Sequence, residues 1–251
     1  MRLVALALGF LWATTGVAET TDIHVRVLAK DAKFIGTGMG GMKVTIRAVQ
    51  TRALLAEGVT RGGTGDTRRI MSKPHKRGAT LATEDAAVFV AAVDIAQPTL
   101  IEVTVQGPLH YPHASQRVSL THWLVPGRHL SGGDGLSITL PGFVVTGRVA
   151  AERLSLADAD TLEIGATVTM MCGCPLTPGG MWDSNAYDIG ALIYAGDELV
   201  GEVMLEYAGQ PNQFRRAWKV PGAGEYHIAF FAHDPANGNT GVDQAGLEVT
   251  E

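Results

Sequence analysis

With only two cysteines in 251 residues, the chain is no disulfide-built scaffold. Its stability has to come from apolar cores. Beyond the N-terminal segment no stretch approaches the roughly twenty apolar residues that a membrane-spanning helix needs. Excess positive charge is missing too, with 20 basic against 25 acidic residues, so electrostatics gives no reason to expect nucleic acid as a partner. The chain carries no G-x-S-x-G, H-E-x-x-H, P-loop or C-x-x-C pattern, and it therefore reads as non-catalytic. Only a triad dispersed through the fold would leave no such local pattern. Finally, no long segment repeats its apolar residues with the 3.6-residue period of a helix.

What the sequence does contain begins with an export signal over residues 1–18. Arg2 precedes the apolar run Leu3 to Trp12, and small residues end at Gly16, Val17 and Ala18. That run is too short to span a bilayer, so a mature chain starting at Glu19 is expected in the periplasm or outside the cell, carrying 19 basic and 25 acidic residues, a net of −6. The 31 glycines and the many Val and Thr favour strands cut by turns. We expect an all-β chain of two tandem β-sandwich domains, 19–141 and 142–251, with the boundary where Leu140, Pro141 and Gly142 change the texture. Strands are expected at Ile23–Val27, Val44–Ala48, Val88–Ile95, Leu100–Val105, Phe143–Val149, Leu162 onward, Tyr187–Tyr194, Leu199–Tyr207, Phe214–Val220 and Tyr226–Ala232. In the Leu199 strand, Leu199, Val203, Leu205 and Tyr207 are expected to share a face.

Several segments invite sharper readings than they support. Gly36–Gly41, GTGMGG, matches G-x-G-x-x-G, but the nucleotide motif needs a following helix and here β-prone residues follow. A loop of positive-φ glycines between strands accounts for it. Arg61, Arg68, Arg69, Lys73, Lys76 and Arg77 form the best basic patch, read either as an anion or partner contact or as a solvated loop. His110 and His113 make an H-x-x-H pair whose rings would point to opposite faces of a strand, whereas Pro112 suggests a loop where they converge. His227 and His233 stand about 20 Å apart along one strand and cannot share an ion. Asp234, Asn237, Asn239 and Asp243 lack calcium-loop spacing and read as hairpin turn chemistry.

The segment KVTIRAVQTRALLAEGVT, ending at Thr60, resembles the transthyretin-like or carboxypeptidase-regulatory-like β-sandwich module. That resemblance implies a fold and no activity. LEIGATVTM and GEYHIAFFAHDPANGNTG, with Ala232, Asp234, Gly238 and Asn239 in the hairpin, resemble a bacterial immunoglobulin-like domain. Tyr226 is placed for a tyrosine corner there.

The sharpest chemical pattern is Met170, Met171, Cys172, Gly173, Cys174 and Pro175. Leu162, Ile164, Ala166, Val168 and Met170 alternate on one face of a strand, and continuing that strand puts Cys172 and Cys174 on the same face. Their Cα atoms would then lie about 6.6 Å apart, near the upper edge of disulfide reach. A bond across so short a loop would stabilise by only about 1.6 kcal/mol. Three readings follow. The two thiolates bind a soft ion, Cu(I) or alternatively Zn(II), with Met170 and Met181 as thioether ligands and Trp182 as cover. They form a redox-active disulfide in an oxidising compartment. Or the segment is only a strand end with a tight turn. The expected function is accordingly an exported binding protein, either a soft-metal binder or an envelope protein-interaction or adhesion module, with oligomeric state unspecified.

Overall fold

The structure, a computed structural model, describes residues 18–251. The segment read as an export signal lies, except for Ala18, outside the described residues. Within them the regular secondary structure is almost all strand.

The N-terminal half contributes β1 (Glu19–Ala29), β2 (Lys43–Ala48), β3 (Leu54–Val59), β4 (Phe89–Ile95), β5 (Thr99–Gly107), β6 (Gln116–Leu124) and β7 (Leu136–Leu140). They form a three-stranded sheet, β4-β1-β7, and a four-stranded one, β3-β2-β5-β6. Period-two alternation decides which residues face inward: Ile23, Val25 and Val27 from β1 meet Val44 and Ile46 from β2 and Ile101, Val103 and Val105 from β5, all buried. The outward set of β2 and β5 is polar apart from Leu100, as expected for an antiparallel sheet with one wet face. The glycine-rich segment is the predicted interstrand loop, with Gly40 and Gly41 at φ 84° and 71°. Residues 61–87 cross the outside of β4-β1-β7, where Phe34, Ile70, Ala82 and Ala86 make a small separate core over Leu28. The loop that holds the basic patch thus also carries an apolar anchor.

The C-terminal half contributes β8 (Phe143–Val149), β9 (Arg153–Ser155), β10 (Thr161–Met170), β11 (Leu176–Thr177), β12 (Trp182–Asp183), β13 (Asp188–Ala195), β14 (Glu198–Met204), β15 (Glu206–Tyr207), β16 (Gln213–Lys219), β17 (Gly224–Asp234) and β18 (Asn239–Thr250). Sheet β15-β16-β10-β8 faces sheet β14-β13-β17-β18-β9, and β11 pairs with β12 alone. Gly196 and Asp197 turn β13 into β14. One expectation fails: Leu199 does not share a face with Val203 and Leu205. A bulge opposite Ile193 and Tyr194 shifts the phase of β14, so Leu199 stands opposite outward-facing Tyr194 and is exposed. Leu205, buried, is the point where the chain leaves β14 in one sheet for β15 in the other. The buried apolar residues of both sandwiches belong to one contiguous cluster.

Candidate functional site

β10 ends at Met170, and the chain turns back instead of running straight through the cysteines. The Gly173 N–H donates to the Met170 carbonyl at 2.7 Å and the Met170 N–H donates to the Cys174 carbonyl at 3.2 Å. Gly173, at φ 76°, supplies the left-handed residue this turn requires. Turning shortens the Cys172–Cys174 Cα separation to 5.4 Å, and the two form a disulfide. The extended-strand distance near the edge of disulfide reach does not apply, because Gly173 turns the chain; of the three readings, the strand end with a tight turn describes the backbone here.

The turn is buried. Cys172 and Cys174 are 3% and 4% exposed and Met170 and Met171 are sealed beside them. From the N-terminal half, Met39 rests on Gly173, its Sδ 2.6 Å from where a Cβ would sit. Met181 lies apart from this packing in exposure: it is 54% exposed, while its neighbour Trp182 buries its ring and donates its indole N–H to the Asp31 carbonyl at 2.9 Å. Of the four residues singled out for metal, Cys172 and Cys174 are joined covalently, Met170 is core, and Met181 points to solvent. Met39 was missed; its proximity arises from tertiary packing and has no signal in local spacing. Among the described residues no group of three or more His, Cys, Asp or Glu is placed to hold a metal ion.

Around this turn polar contacts join the halves. Lys30 Nζ donates to the Asn237 carbonyl at 2.8 Å, and the Asn237 amide donates to the carboxylates of Asp31 and Asp234. Asn239, 1% exposed, accepts from the Gly142 N–H at 2.6 Å and donates to the Gly142 carbonyl at 3.0 Å. Asp243 accepts from the Gly147 N–H at 2.8 Å. The oxygen-rich hairpin is therefore structural, as its turn chemistry predicts. Asp31, Asp183 and Asp234 also surround Tyr187, whose phenol is pushed up first by burial and then by these carboxylates. Asp183 itself is held below its ordinary value by the backbone N–H groups of Gly179 and Asn185.

The histidine pair does not converge. His110 packs over Gly40, whereas His113 Nε2 lies 3.1 Å from both the Val145 carbonyl and Thr146 Oγ1. His129 accepts the Asp22 N–H at 3.0 Å through Nδ1, and His122 stands opposite Ile101 on β6.

A second feature was invisible in the sequence. On the outer face of the five-stranded sheet, register aligns Met204, Gly190, Phe231 and Val242 in one row across β14, β13, β17 and β18. Met204 is 40% and Val242 47% exposed, and the Phe231 ring lies over Gly190. Leu192, and Tyr194 beside the exposed Leu199, continue the apolar area along β13. β14 is the outermost strand of its sheet. Exposed Asp197, Glu198 and Glu202 lie along it.

No protein-family model matches the chain, and no curated protein matches it. Among solved structures it is similar to the fibronectin(III)-like modules of Clostridium thermocellum CbhA, at 12% identity over 83% of this chain and 77% of that one, TM-score 0.26. It is also similar to a DUF3823 family protein from Bacteroides uniformis, at 12% identity over 92% of this chain and 99% of that one, TM-score 0.28. Overlaps this loose carry no argument about activity.

Proposed function

We propose that the chain is an exported, non-catalytic protein-interaction module of the cell envelope, built of a transthyretin-like and an immunoglobulin-like domain divided at Gly142. The observation that carries this reading is the apolar row Met204–Phe231–Val242 ending on the open strand β14. Contiguous apolar surface rimmed by polar residues marks contact sites, and an open edge offers unpaired backbone groups. The acids Asp197, Glu198 and Glu202 along that edge select a partner protein presenting an apolar strand flanked by Lys or Arg. The Cys172–Cys174 disulfide supports export, since such bonds persist in oxidising compartments. Tyr226 Oη donates to the Gly222 carbonyl at 2.8 Å, which supports the immunoglobulin-like assignment.

Photo-crosslinkers at positions 204 and 242 test the interaction in intact cells. The reading requires both to trap one species, with trapping lost in Glu202→Lys and absent from a crosslinker at position 215 on the opposite sheet. Trapping of a second copy of the chain, or equal trapping from position 215, removes it.

The packing of Met39 on the cysteine turn favours a second reading, in which the reduced protein binds Cu(I), or Zn(II), through Cys172, Cys174 and a thioether. Anaerobic titration of the reduced chain decides it: Cys172→Ser with Cys174→Ser must abolish tight binding and Met39→Leu must weaken it. Equal binding by all three proteins leaves the disulfide purely architectural.

A further inference from the structure

The outer face of β3-β2-β5-β6 carries a polar trough. Register lays its outward side chains in three cross-strand rows: Lys43–Gln106–Arg117, Thr45–Thr104–Ser119, and Arg47–Glu102–Thr121. Short hydroxyl side chains fill the middle row, while Lys43, Gln106 and Arg117 stand on one side of it and Arg47 and Glu102 on the other, with Thr121 the one short residue in a flanking row. Rows two residues apart are about 7 Å apart, so the long side chains form walls about 13 Å apart over a floor of hydroxyls. The result is a trough running across the strands, enclosing about 230 Å³. Arg52 reaches in from the β2–β3 turn and Glu57 closes one end.

Its charge runs against that of the chain. Lys43, Arg47, Arg52 and Arg117 line the trough with only Glu57 and Glu102 opposing them, in a protein of net charge −5. Two cations are engaged internally: Lys43 Nζ lies 3.1 Å from Glu57, and Arg52 lies 3.9 Å from Glu102. Arg47 spends one nitrogen on the Arg52 carbonyl at 3.2 Å, and Arg117 makes no ion pair among the described residues.

We infer that this trough binds a carboxylated glycan. The hydroxyl floor and the two carboxylates suit a polyhydroxylated chain that both donates and accepts hydrogen bonds. Arg117 and Arg47 suit its carboxylates, since guanidinium pairs with planar oxyanions through several N–H donors. No apolar side chain lines the trough, which leaves a peptide nothing to bury. Glu57 and Glu102 repel a densely charged polymer, so the ligand carries well-spaced carboxylates and not a continuous run of sulfates or phosphates. The affinity is electrostatic and falls with added salt. This surface and the apolar row lie on different sheets, so either can fail alone.

Calorimetric titration with hyaluronate oligosaccharides, one carboxylate per two sugars, tests the inference on the full chain. Neutral dextran, dextran sulfate and polyglutamate serve as competitors. Binding should be specific to the uronate glycan and weaken about tenfold in Arg117→Ala, an exposed edge position, and again in Arg47→Ala. A variant of the distant basic loop, Arg68→Ala with Arg77→Ala, should bind as the wild type does. Absence of binding overturns the inference. So does tighter binding of dextran sulfate or polyglutamate, or an equal loss in the loop variant, which would mark general attraction of polyanions to cations.

Discussion

Met39 occupies the space that a side chain on Gly173 would need, its sulfur 2.6 Å from the position of a Cβ there. Gly173 is also in left-handed backbone at φ 76°. Gly173→Ala therefore carries both a backbone and a steric cost, and we expect about 2–3 kcal/mol of lost stability in urea unfolding. Gly179 separates the two effects, because at φ 68° it has the same backbone conformation but nothing within 4 Å of its added Cβ. Gly179→Ala should cost only about 1 kcal/mol. Met39→Ala combined with Gly173→Ala should recover part of the difference; equal costs at the two glycines would mean that Met39 simply moves aside.

Asn239 predicts a second sensitive point. Its side chain satisfies both backbone groups of Gly142 while itself buried, so Asn239→Ala orphans a buried donor and a buried acceptor. About 2–3 kcal/mol should be lost. Thr240→Ala is the neighbouring control: its exposed hydroxyl contacts His233 Nδ1 at 2.8 Å, and removing it should cost under about 1 kcal/mol. Comparable losses for the two variants would show that the Gly142 contacts are replaced by water.

Arg26 points the other way. On β1, opposite Ser137 and next but one to Leu28, it buries Nε and Nη1 with no hydrogen-bond partner among the described residues. Arg26 is half-buried, and two guanidinium nitrogens shut off from solvent without a partner oppose folding, whereas methionine fills similar volume without polar atoms. Arg26→Met should raise the unfolding free energy by about 1–2 kcal/mol. Destabilisation of that size would instead show that the guanidinium makes bonds worth more than its burial costs.

These tests fall where local sequence stops being informative. The strands were legible because burial imposes alternation: Ile23, Val25 and Val27, or Ile101, Val103 and Val105, can be read directly as inward faces. Tyr226 was legible because a corner tyrosine acts within four residues of its own backbone. At the cysteines the strand-end reading holds and the extended continuation fails, because alternation carries no mark where a strand ends and only Gly173 hints at the reversal. The sulfur that rests on that turn, Met39, comes from more than a hundred residues away, and no spacing rule reaches it. Likewise the row Met204–Phe231–Val242 and the trough floor Thr45–Thr104–Ser119 depend on register between strands, which a linear pattern does not encode.

Tyr187 makes the junction sensitive to alkali. Its phenol is raised above the ordinary value of 10.0 by burial and by the nearby carboxylates of Asp234, Asp31 and Asp183. The folded state thus holds this proton more tightly than the unfolded state does. The linked stability is fully present below pH 10 and is lost as the pH rises through the folded-state value. In an absorbance titration at 295 nm, one tyrosine should ionise late, and Tyr187→Phe should delete that phase. The same variant should flatten the fall in stability above pH 10, while leaving stability at pH 7 within about 1 kcal/mol because the hydroxyl alone is removed. Phe143 meets the Tyr187 ring edge-on at a centroid distance of 5.3 Å, and phenylalanine preserves that contact. If the late phase survives in Tyr187→Phe, the slow-ionising group is another tyrosine and the acidic junction does not control this proton.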